Sequence, residues 1–227
     1  MVTLLLIFLG LIPGLAWLIF YLKEDIRHPE PKRLILYTFL GGALVTLLVL
    51  QFQYHIHDWL ISQGFSSFGL VSFILLASVE EFFKFFAVFV LISRRKEFDE
   101  PIDAMVYMIV AALGFATVEN VASVLQTNSI TWPSVGPIET TILRFVGATL
   151  LHTLASGLVG YQWGQAIYKK SGYVGMIGIG LVVATLLHAV FNYLIIRSEP
   201  IALPLIFLIF FALFILSDFE KLKRESP

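Results

Sequence analysis

The sequence predicts an all-α integral membrane protein, a polytopic bundle of about seven transmembrane helices that forms a single transmembrane domain over residues 1–227. Hydrophobic residues make up 58% of the chain and charged residues only 14%, with a mean hydropathy of +0.88. A soluble domain carries roughly 25% charged residues. Seven apolar runs have about the length that a helix needs to cross a bilayer. A chain of 227 residues leaves no room for a separate soluble domain beside them.

The predicted spans follow one another with short polar connections. The first lacks a basic flank and a small-residue cleavage site, so we expect an uncleaved helix and not a signal peptide. The fifth is longer than a bilayer requires, so we expect it to tilt or to extend beyond the membrane. In chain order the predicted spans are Val2–Leu22, Leu34–Tyr54, Phe68–Ile92, Ile102–Leu125, Ile138–Ile167, Tyr173–Ile196 and Ile201–Ser217.

The connecting segments predict the orientation. Twelve Lys and Arg residues lie in the segments on one side of the predicted membrane, and only Arg197 lies on the other. Positively charged segments stay in the cytoplasm, so the N-terminus is predicted outside and the C-terminus inside. The same charges are therefore topology signals, and we expect no nucleic-acid binding. The chain has no cysteine, which excludes disulfides, thiol nucleophiles and Cys-based metal sites.

Two adjacent carboxylates interrupt the third span. Glu80 and Glu81 lie near its centre, and Lys84 follows one helical turn later. An ionisable group at this depth costs roughly 2.5–3.5 kcal/mol to insert, so these side chains must face a protein interior or a wet cavity. Lys84 is expected to be the counter-charge of a glutamate. A purely structural ion pair that locks helices together is the simpler alternative.

Further polar side chains are predicted at a similar depth on three later spans. Glu119 with Asn120, His152, and His188 with Asn192 all fall in the outer half to the middle of the bilayer. Carboxylate and imidazole groups are ligands for a divalent metal such as zinc, with one position left for water. A further carboxylate could take a proton from that water. His188 and Asn192 share a helix face, so one can ligate while the other donates to an oxyanion.

These motifs resemble those of the PrsW family of membrane-embedded proteases. Glu80-Glu81-Phe-Phe-Lys84 resembles its EExxK motif, and Phe115-Ala-Thr-Val-Glu119-Asn120 resembles its FxxxEN motif. His152 and His188-Ala-Val-Phe-Asn192 resemble its last two motifs, and Phe98–Tyr107 resembles the segment before the second. The family is similar to the CAAX prenyl proteases and the bacteriocin-processing proteins.

The resemblance implies a multi-pass protein of a prokaryotic cell membrane that cleaves membrane-anchored protein or peptide substrates, in some members anti-sigma factors. It implies either a bound divalent metal, zinc, or a metal-free water activated by glutamate. We predict Glu80 as general base, with Glu81 and Asn192 as further catalytic residues. The predicted metal ligands are Glu119, His152 and His188, and whether Glu81 or Glu119 ligates stays open.

Other classes fit the sequence less well. A proton- or ion-coupled transporter would also need buried Glu, Lys and His, but no internal repeat is evident. A bis-His haem protein could use His152 and His188, but it would not need three glutamates nearby. Ser156 lacks the context of a serine nucleophile. Arg144 matches none of the motifs, and it could either balance Glu119 or line the outer entrance.

Overall fold

The structure is a computed structural model that describes residues 2–24, 29–126, 136–197 and 202–225. Its described residues form long helices and contain no strand, which confirms the all-α prediction. The helices are α1 (Val2–Glu24), α2 (Lys32–Ser62), α3 (Leu70–Ile92), α4 (Pro101–Gln126), α5 (Pro137–Lys169), α6 (Tyr173–Arg197) and α7 (Ala202–Glu225).

Six of these helices are long and apolar enough to cross a membrane, namely α1, α2, α4, α5, α6 and α7. Helix α3 has 23 residues, a comparable length, but it carries Glu80, Glu81 and Lys84. All three side chains are buried against neighbouring helices, so none faces lipid. The prediction of a multi-helix membrane protein is confirmed. The orientation stays a prediction, and most of the outer segment Gln126–Pro137 on which it rests lies outside the described residues.

Helix α4 is the centre of the bundle. Nearly every side chain from Pro101 to Thr117 is buried, because α1, α2, α3, α5 and α7 all pack around it. A helix that is apolar on all sides is expected to lie in such an interior position. Glu119 and Asn120 follow this buried stretch directly, so the central helix presents them to the helices around it.

Glycines allow α4 to approach its neighbours at backbone contact. A Cβ atom on Gly42 of α2 would lie 1.9 Å from the carbonyl oxygen of Ala111, and one on Gly114 would lie 1.9 Å from that of Phe39. On the other side, a Cβ on Gly160 of α5 would lie 2.5 Å from the Cα of Met105. Small residues at such crossings let membrane helices pack closely, and here they fix α2 and α5 against the helix that carries Glu119.

Two helices extend past the predicted ends of their spans. Helix α2 continues from Tyr54 to Ser62, and α7 continues from Ser217 to Glu225. In both extensions the apolar run stops but an amphipathic pattern persists, since Leu60, Phe219 and Leu222 are buried. A hydropathy run therefore marks the apolar part of a helix and not its end.

Helix α5 has an irregularity that the sequence did not predict. Its first part, Pro137–Arg144, and its last part, Leu150–Lys169, are α-helical, and Phe145–Thr149 between them forms a π-helical turn. The predicted great length of this span is confirmed, since the continuous helix has 33 residues.

Candidate active site

Side chains from four helices meet inside the bundle. Helix α3 contributes the Glu-Glu-Lys block, α4 contributes Glu119, α5 contributes His152 and α6 contributes His188. Both histidines are only 2% exposed and Glu80 is 6% exposed. The structure thus brings together six of the polar residues that the sequence singled out.

Glu81 is the acceptor at the centre of this network. Its Oε1 accepts hydrogen bonds from Lys84 Nζ at 2.6 Å and from His188 Nδ1 at 2.7 Å. Its Oε2 accepts a longer bond from Ser156 Oγ at 3.4 Å. A carboxylate can only accept, so it holds the His188 proton on Nδ1 and leaves the Nε2 lone pair free. Such a carboxylate–histidine pair is the usual device for orienting a ligating or catalytic imidazole.

Glu80 differs from its neighbour in having one oxygen without a partner. Its Oε1 accepts a hydrogen bond from Gln53 Nε2 of α2 at 2.7 Å. Its Oε2 is buried and makes no hydrogen bond. That atom lies 3.6 Å from His188 Nε2 and 4.0 Å from His152 Nδ1. A buried unpaired carboxylate oxygen is costly, so its surroundings favour a water, a proton or a cation beside it.

His152 is held from both sides of its ring. Its Nδ1 is 3.1 Å from Lys84 Nζ, which can only donate, and its Nε2 is 3.0 Å from Glu119 Oε2, which accepts. Its ring stands perpendicular to that of His188, with centroids 5.0 Å apart. Lys84 therefore binds both a carboxylate and an imidazole, and it does more than balance one glutamate.

A metal ion would fit one part of this cluster. Ligand atoms of Glu80, His152 and His188 all lie within 4.8 Å of one another. Zinc ligands stand about 2.0–2.2 Å from the ion, so these side chains would have to move closer together to bind it. Among the described residues, Glu119 is not part of this group and instead accepts from His152. The geometry thus offers Glu80 as a carboxylate ligand where the sequence suggested Glu119 or Glu81, and the ligand assignment stays a prediction.

Arg144 lies at the edge of the cluster and pairs with Glu119. Its Nη2 is 3.1 Å from Glu119 Oε2, and its Nε donates to Asn120 Oδ1. Asn120 in turn donates from Nδ2 to Thr149 Oγ1 at 3.0 Å. Of the two roles that the sequence left open for Arg144, the counter-charge of Glu119 is present in the structure. The cluster contains three glutamates and two basic side chains. It could therefore accommodate one further positive charge.

Asn192 is the predicted residue that the network does not include. It lies one helical turn beyond His188 on the same face of α6 and is half-buried. Its side chain makes no hydrogen bond to any of the described residues, so its amide is available to a substrate. Its role as an oxyanion donor stays a prediction.

Sequence reasoning missed Gln53 and did not place Ser156. Gln53 lies near the end of a predicted span, where a polar residue is expected to face the membrane interface. Nothing in the sequence around it indicates a contact with a distant residue. Ser156 Oγ bonds a carboxylate and not an imidazole, which agrees with its lack of the context of a serine nucleophile. Only the packing of α2 against α3 brings Gln53 to the Glu80 carboxylate.

The fold and this site define a polytopic membrane protein with a buried Glu/His cluster suited to hydrolysis. A family model described as "PrsW family intramembrane metalloprotease" matches residues 30–217. The chain therefore belongs to the PrsW family and is a membrane protease.

Curated relatives agree with the family assignment. The chain is 32% identical over 193 residues to the "Protease PrsW" of Geobacillus kaustophilus, covering 84% of this chain and 79% of the relative. It is 33% identical over 191 residues to that of Oceanobacillus iheyensis, covering 82% and 80%. The corresponding protein of Bacillus subtilis is 27% identical over 187 residues. No solved structure matches the chain. These relatives favour the protease over the transporter interpretation.

Proposed function

We propose that this chain cleaves membrane-anchored proteins by attack of a water molecule that Glu80 activates. The observation that supports this most directly is the unpaired Glu80 Oε2, buried and facing the rings of both histidines. This position suits a reacting water, which would donate to Glu80 Oε2 and to His188 Nε2, two atoms that accept no hydrogen bond from the described residues. A general base must lie within hydrogen-bond reach of the proton that it removes, and Oε2 has no competing donor.

The other side chains have separable roles in this scheme. Glu80 takes the proton from water and later returns it to the leaving amine. Glu81 fixes His188 through Nδ1 and keeps Lys84 in place. Asn192, one turn along from His188, donates its amide to the oxygen of the carbonyl under attack. Such a donor lowers the activation barrier because its hydrogen bond strengthens as the carbonyl oxygen becomes an oxyanion.

The donor set also suits a divalent metal. Glu80, His152 and His188 would hold it, and Glu81 and Glu119 would orient the two imidazoles from the second coordination layer. When bound, the metal would supply a Lewis acid that lowers the pKa of water and polarises the substrate carbonyl. His152 Nδ1 would then have to exchange its contact with Lys84 for the ion.

A cleft of about 220 Å³ borders the site at Glu119, whose side chain contacts His152. Its lining residues are Thr46, Leu50, Val118, Glu119, Ala122, Ser123, Gln126 and Arg144. In the predicted orientation its lining reaches Gln126, at the outer end of α4. Substrates are therefore expected to be single-span proteins, of the anti-sigma-factor kind that the resemblance implies, cut near the outer membrane boundary.

Mapping the cleavage products tests the proposed reaction and its position in the membrane. A single-span reporter is incubated with purified protein in proteoliposomes, and its products are mapped by mass spectrometry. We expect a cut at or just outside the outer boundary that Glu80→Gln abolishes. A cut on the cytoplasmic side would contradict the depth argument, and no Glu80-dependent cut of any single-span substrate would contradict the proposed function.

The metal content separates the two versions of the chemistry. Purified wild type is compared with His188→Ala by elemental analysis after the same chelator wash and zinc addition. Stoichiometric zinc that is lost in the variant supports the metal version. Cleavage that persists in wild type without bound metal supports the water activated by glutamate alone.

A further inference from the structure

The π-helical turn of α5 separates two side chains that act on the same atom. Arg144 immediately precedes the turn, and His152 lies three residues beyond its end. Arg144 Nη2 is 3.1 Å and His152 Nε2 is 3.0 Å from the same oxygen, Glu119 Oε2. This one carboxylate oxygen therefore accepts hydrogen bonds from two residues of α5, one before the π turn and one after it.

A regular helix would not place both residues toward Glu119. Eight residues at 3.6 residues per turn would leave Arg144 and His152 about 80° apart around the axis. A π turn inserts about one extra residue into the helical repeat, so the eight-residue spacing behaves like a spacing of seven. Seven residues are close to two full turns, and the two side chains then share a face. The π turn is therefore the register element that lets α5 contribute both residues.

Neighbouring helices stabilise the turn at both ends. Trp17 of α1 donates from Nε1 to the carbonyl oxygen of Phe145 at 3.0 Å, and the two rings stack with centroids 5.4 Å apart. At the other end Thr149 accepts from Asn120 of α4 at 3.0 Å. Asn120 also accepts from Arg144. The irregular turn is thus bonded on both sides.

We propose that Arg144 is a positioning residue of the protease, and that the π turn supported by Trp17 exists to bring it to Glu119. Glu119 is 24% exposed and borders the cleft, so without Arg144 its carboxylate is free to turn toward solvent. With Arg144 in place, Glu119 Oε2 stays on His152 Nε2 and keeps the ring proton there. The other ring nitrogen, Nδ1, then accepts from Lys84 Nζ and lies 4.0 Å from Glu80 Oε2. Arg144 itself contacts Glu119 and Asn120 and touches none of the reacting atoms.

The first test is chemical rescue in an assay that rests on the proposed function. Arg144→Ala should lower the kcat for the single-span reporter by about 10–100-fold, the usual cost of losing such a partner, with little change in KM. Guanidinium at low millimolar concentration should restore part of the rate, because it can occupy the vacated part of the cleft as a cation. Urea has a similar shape and no charge, so it is the matched control and should not rescue.

Three results would overturn the positioning role. They are a wild-type kcat in Arg144→Ala, a raised KM with unchanged kcat, which would indicate direct substrate binding, and rescue that is absent or equal for guanidinium and urea. Glu80→Gln is measured in parallel, because Glu80-dependent cleavage by the wild type validates the assay independently of Arg144.

The second test needs no substrate. Nitrogen-15 spectra of histidine-labelled protein with chelator should show the His152 proton on Nε2 in the wild type, with His152→Asn used to assign the signal. In Arg144→Ala we expect the Nε2–H signal to lose the shift caused by its hydrogen bond to Glu119, while Lys84 still keeps Nδ1 unprotonated. An unchanged His152 spectrum in that variant would contradict the proposal even if no cleavable reporter were found.

A variant that changes the length of the π turn tests the role of the helical register. Inserting one alanine after Val146 should lengthen the spacing between Arg144 and His152 by one residue and, with the π turn retained, rotate Arg144 by about 100° relative to His152. We expect the insertion to reproduce the His152 spectrum of Arg144→Ala, whereas Val146→Ala, which keeps the register, should resemble the wild type. A folded insertion protein with the wild-type His152 spectrum would contradict the role of the register.

Discussion

Amide substitutions of the two adjacent glutamates should have unequal effects on stability, although both should lower activity. Glu80→Gln keeps the acceptor for Gln53 Nε2, now at 2.7 Å from Oε1. It replaces Oε2, which has no hydrogen-bond partner, with an amide group. That group can donate to His188 Nε2, which lies 3.6 Å from Oε2 in the wild type. The free energy of unfolding should therefore change by no more than about 1 kcal/mol, in either direction.

Glu81→Gln removes the negative charge that compensates the buried Lys84 ammonium group. Lys84 and Glu81 are both 0% exposed and 2.6 Å apart, so the variant leaves an ammonium ion in the interior without its counter-charge. Breaking a buried pair in this way costs about 3–5 kcal/mol. The amide oxygen can still accept from Lys84 and His188, and its N–H₂ group can donate to Ser156 Oγ, so the variant loses the charge and not the hydrogen bonds. A large loss of stability should therefore accompany the loss of activity.

Unfolding by SDS titration, followed by circular dichroism in mixed micelles, measures both free energies under one set of conditions. Cleavage of the single-span reporter should fall by at least ~10²-fold in each variant. The double variant Glu81→Gln, Lys84→Met tests the cause, because removing the orphaned cation should recover most of the lost stability. Equal destabilisation by the two amide substitutions would refute the distinction between them. Retained cleavage in Glu80→Gln with a large drop in stability would mean that the block is structural.

Three further predictions concern the supporting helices. Gln53→Ala should lower kcat by about ten-fold because the catalytic carboxylate loses its orienting donor, while the exposed neighbour Gln51→Ala should be unaffected; equal rates for the two variants would exclude the role of Gln53. In this cysteine-free chain, single cysteines at Gln63 and Lys96 should react with an impermeant maleimide only from outside and only from inside, respectively, and the reverse pattern would invert the orientation. Gly42→Ala, whose Cβ would lie 1.9 Å from a carbonyl oxygen of α4, should reduce stability by about 1–3 kcal/mol, whereas Gly175→Ala, in open space, should not; similar stabilities would mean that α2 can move away from α4 at little cost.

The sequence alone determined the helical membrane architecture and the identity of the polar residues that meet inside it. Both follow from local properties. Apolar runs of bilayer length report directly on membrane insertion, and ionisable residues such as Glu80 and His188 are too costly in lipid to lie anywhere but in an interior. The loop charges gave an orientation by the same kind of reasoning, which labelling has yet to test. Helix ends were less predictable, since α2 and α7 continue as amphipathic helices after their apolar runs stop.

The tertiary structure decided how those residues are paired. Residues Glu80 and Glu81 are adjacent and chemically identical in sequence, yet Glu81 is saturated with hydrogen bonds while one oxygen of Glu80 is free. The difference arises because successive side chains on a helix point about 100° apart, so that they meet different neighbours. Glu119 likewise became the partner of His152 and Arg144, and not a member of the group nearest to Glu80 and His188.

Contacts between distant segments were beyond any pattern in the chain. Gln53 reaches Glu80 across 27 positions, and Trp17 reaches Phe145 across 128. The π turn also has no sequence signature here, and its contact with Trp17 is visible only in the folded structure. Sequence patterns describe one helix at a time, so they predicted which polar residues lie inside the bundle but not how those residues are paired. Only the packing of α1 and α2 against α4 decided which of their atoms contact the residues of the site.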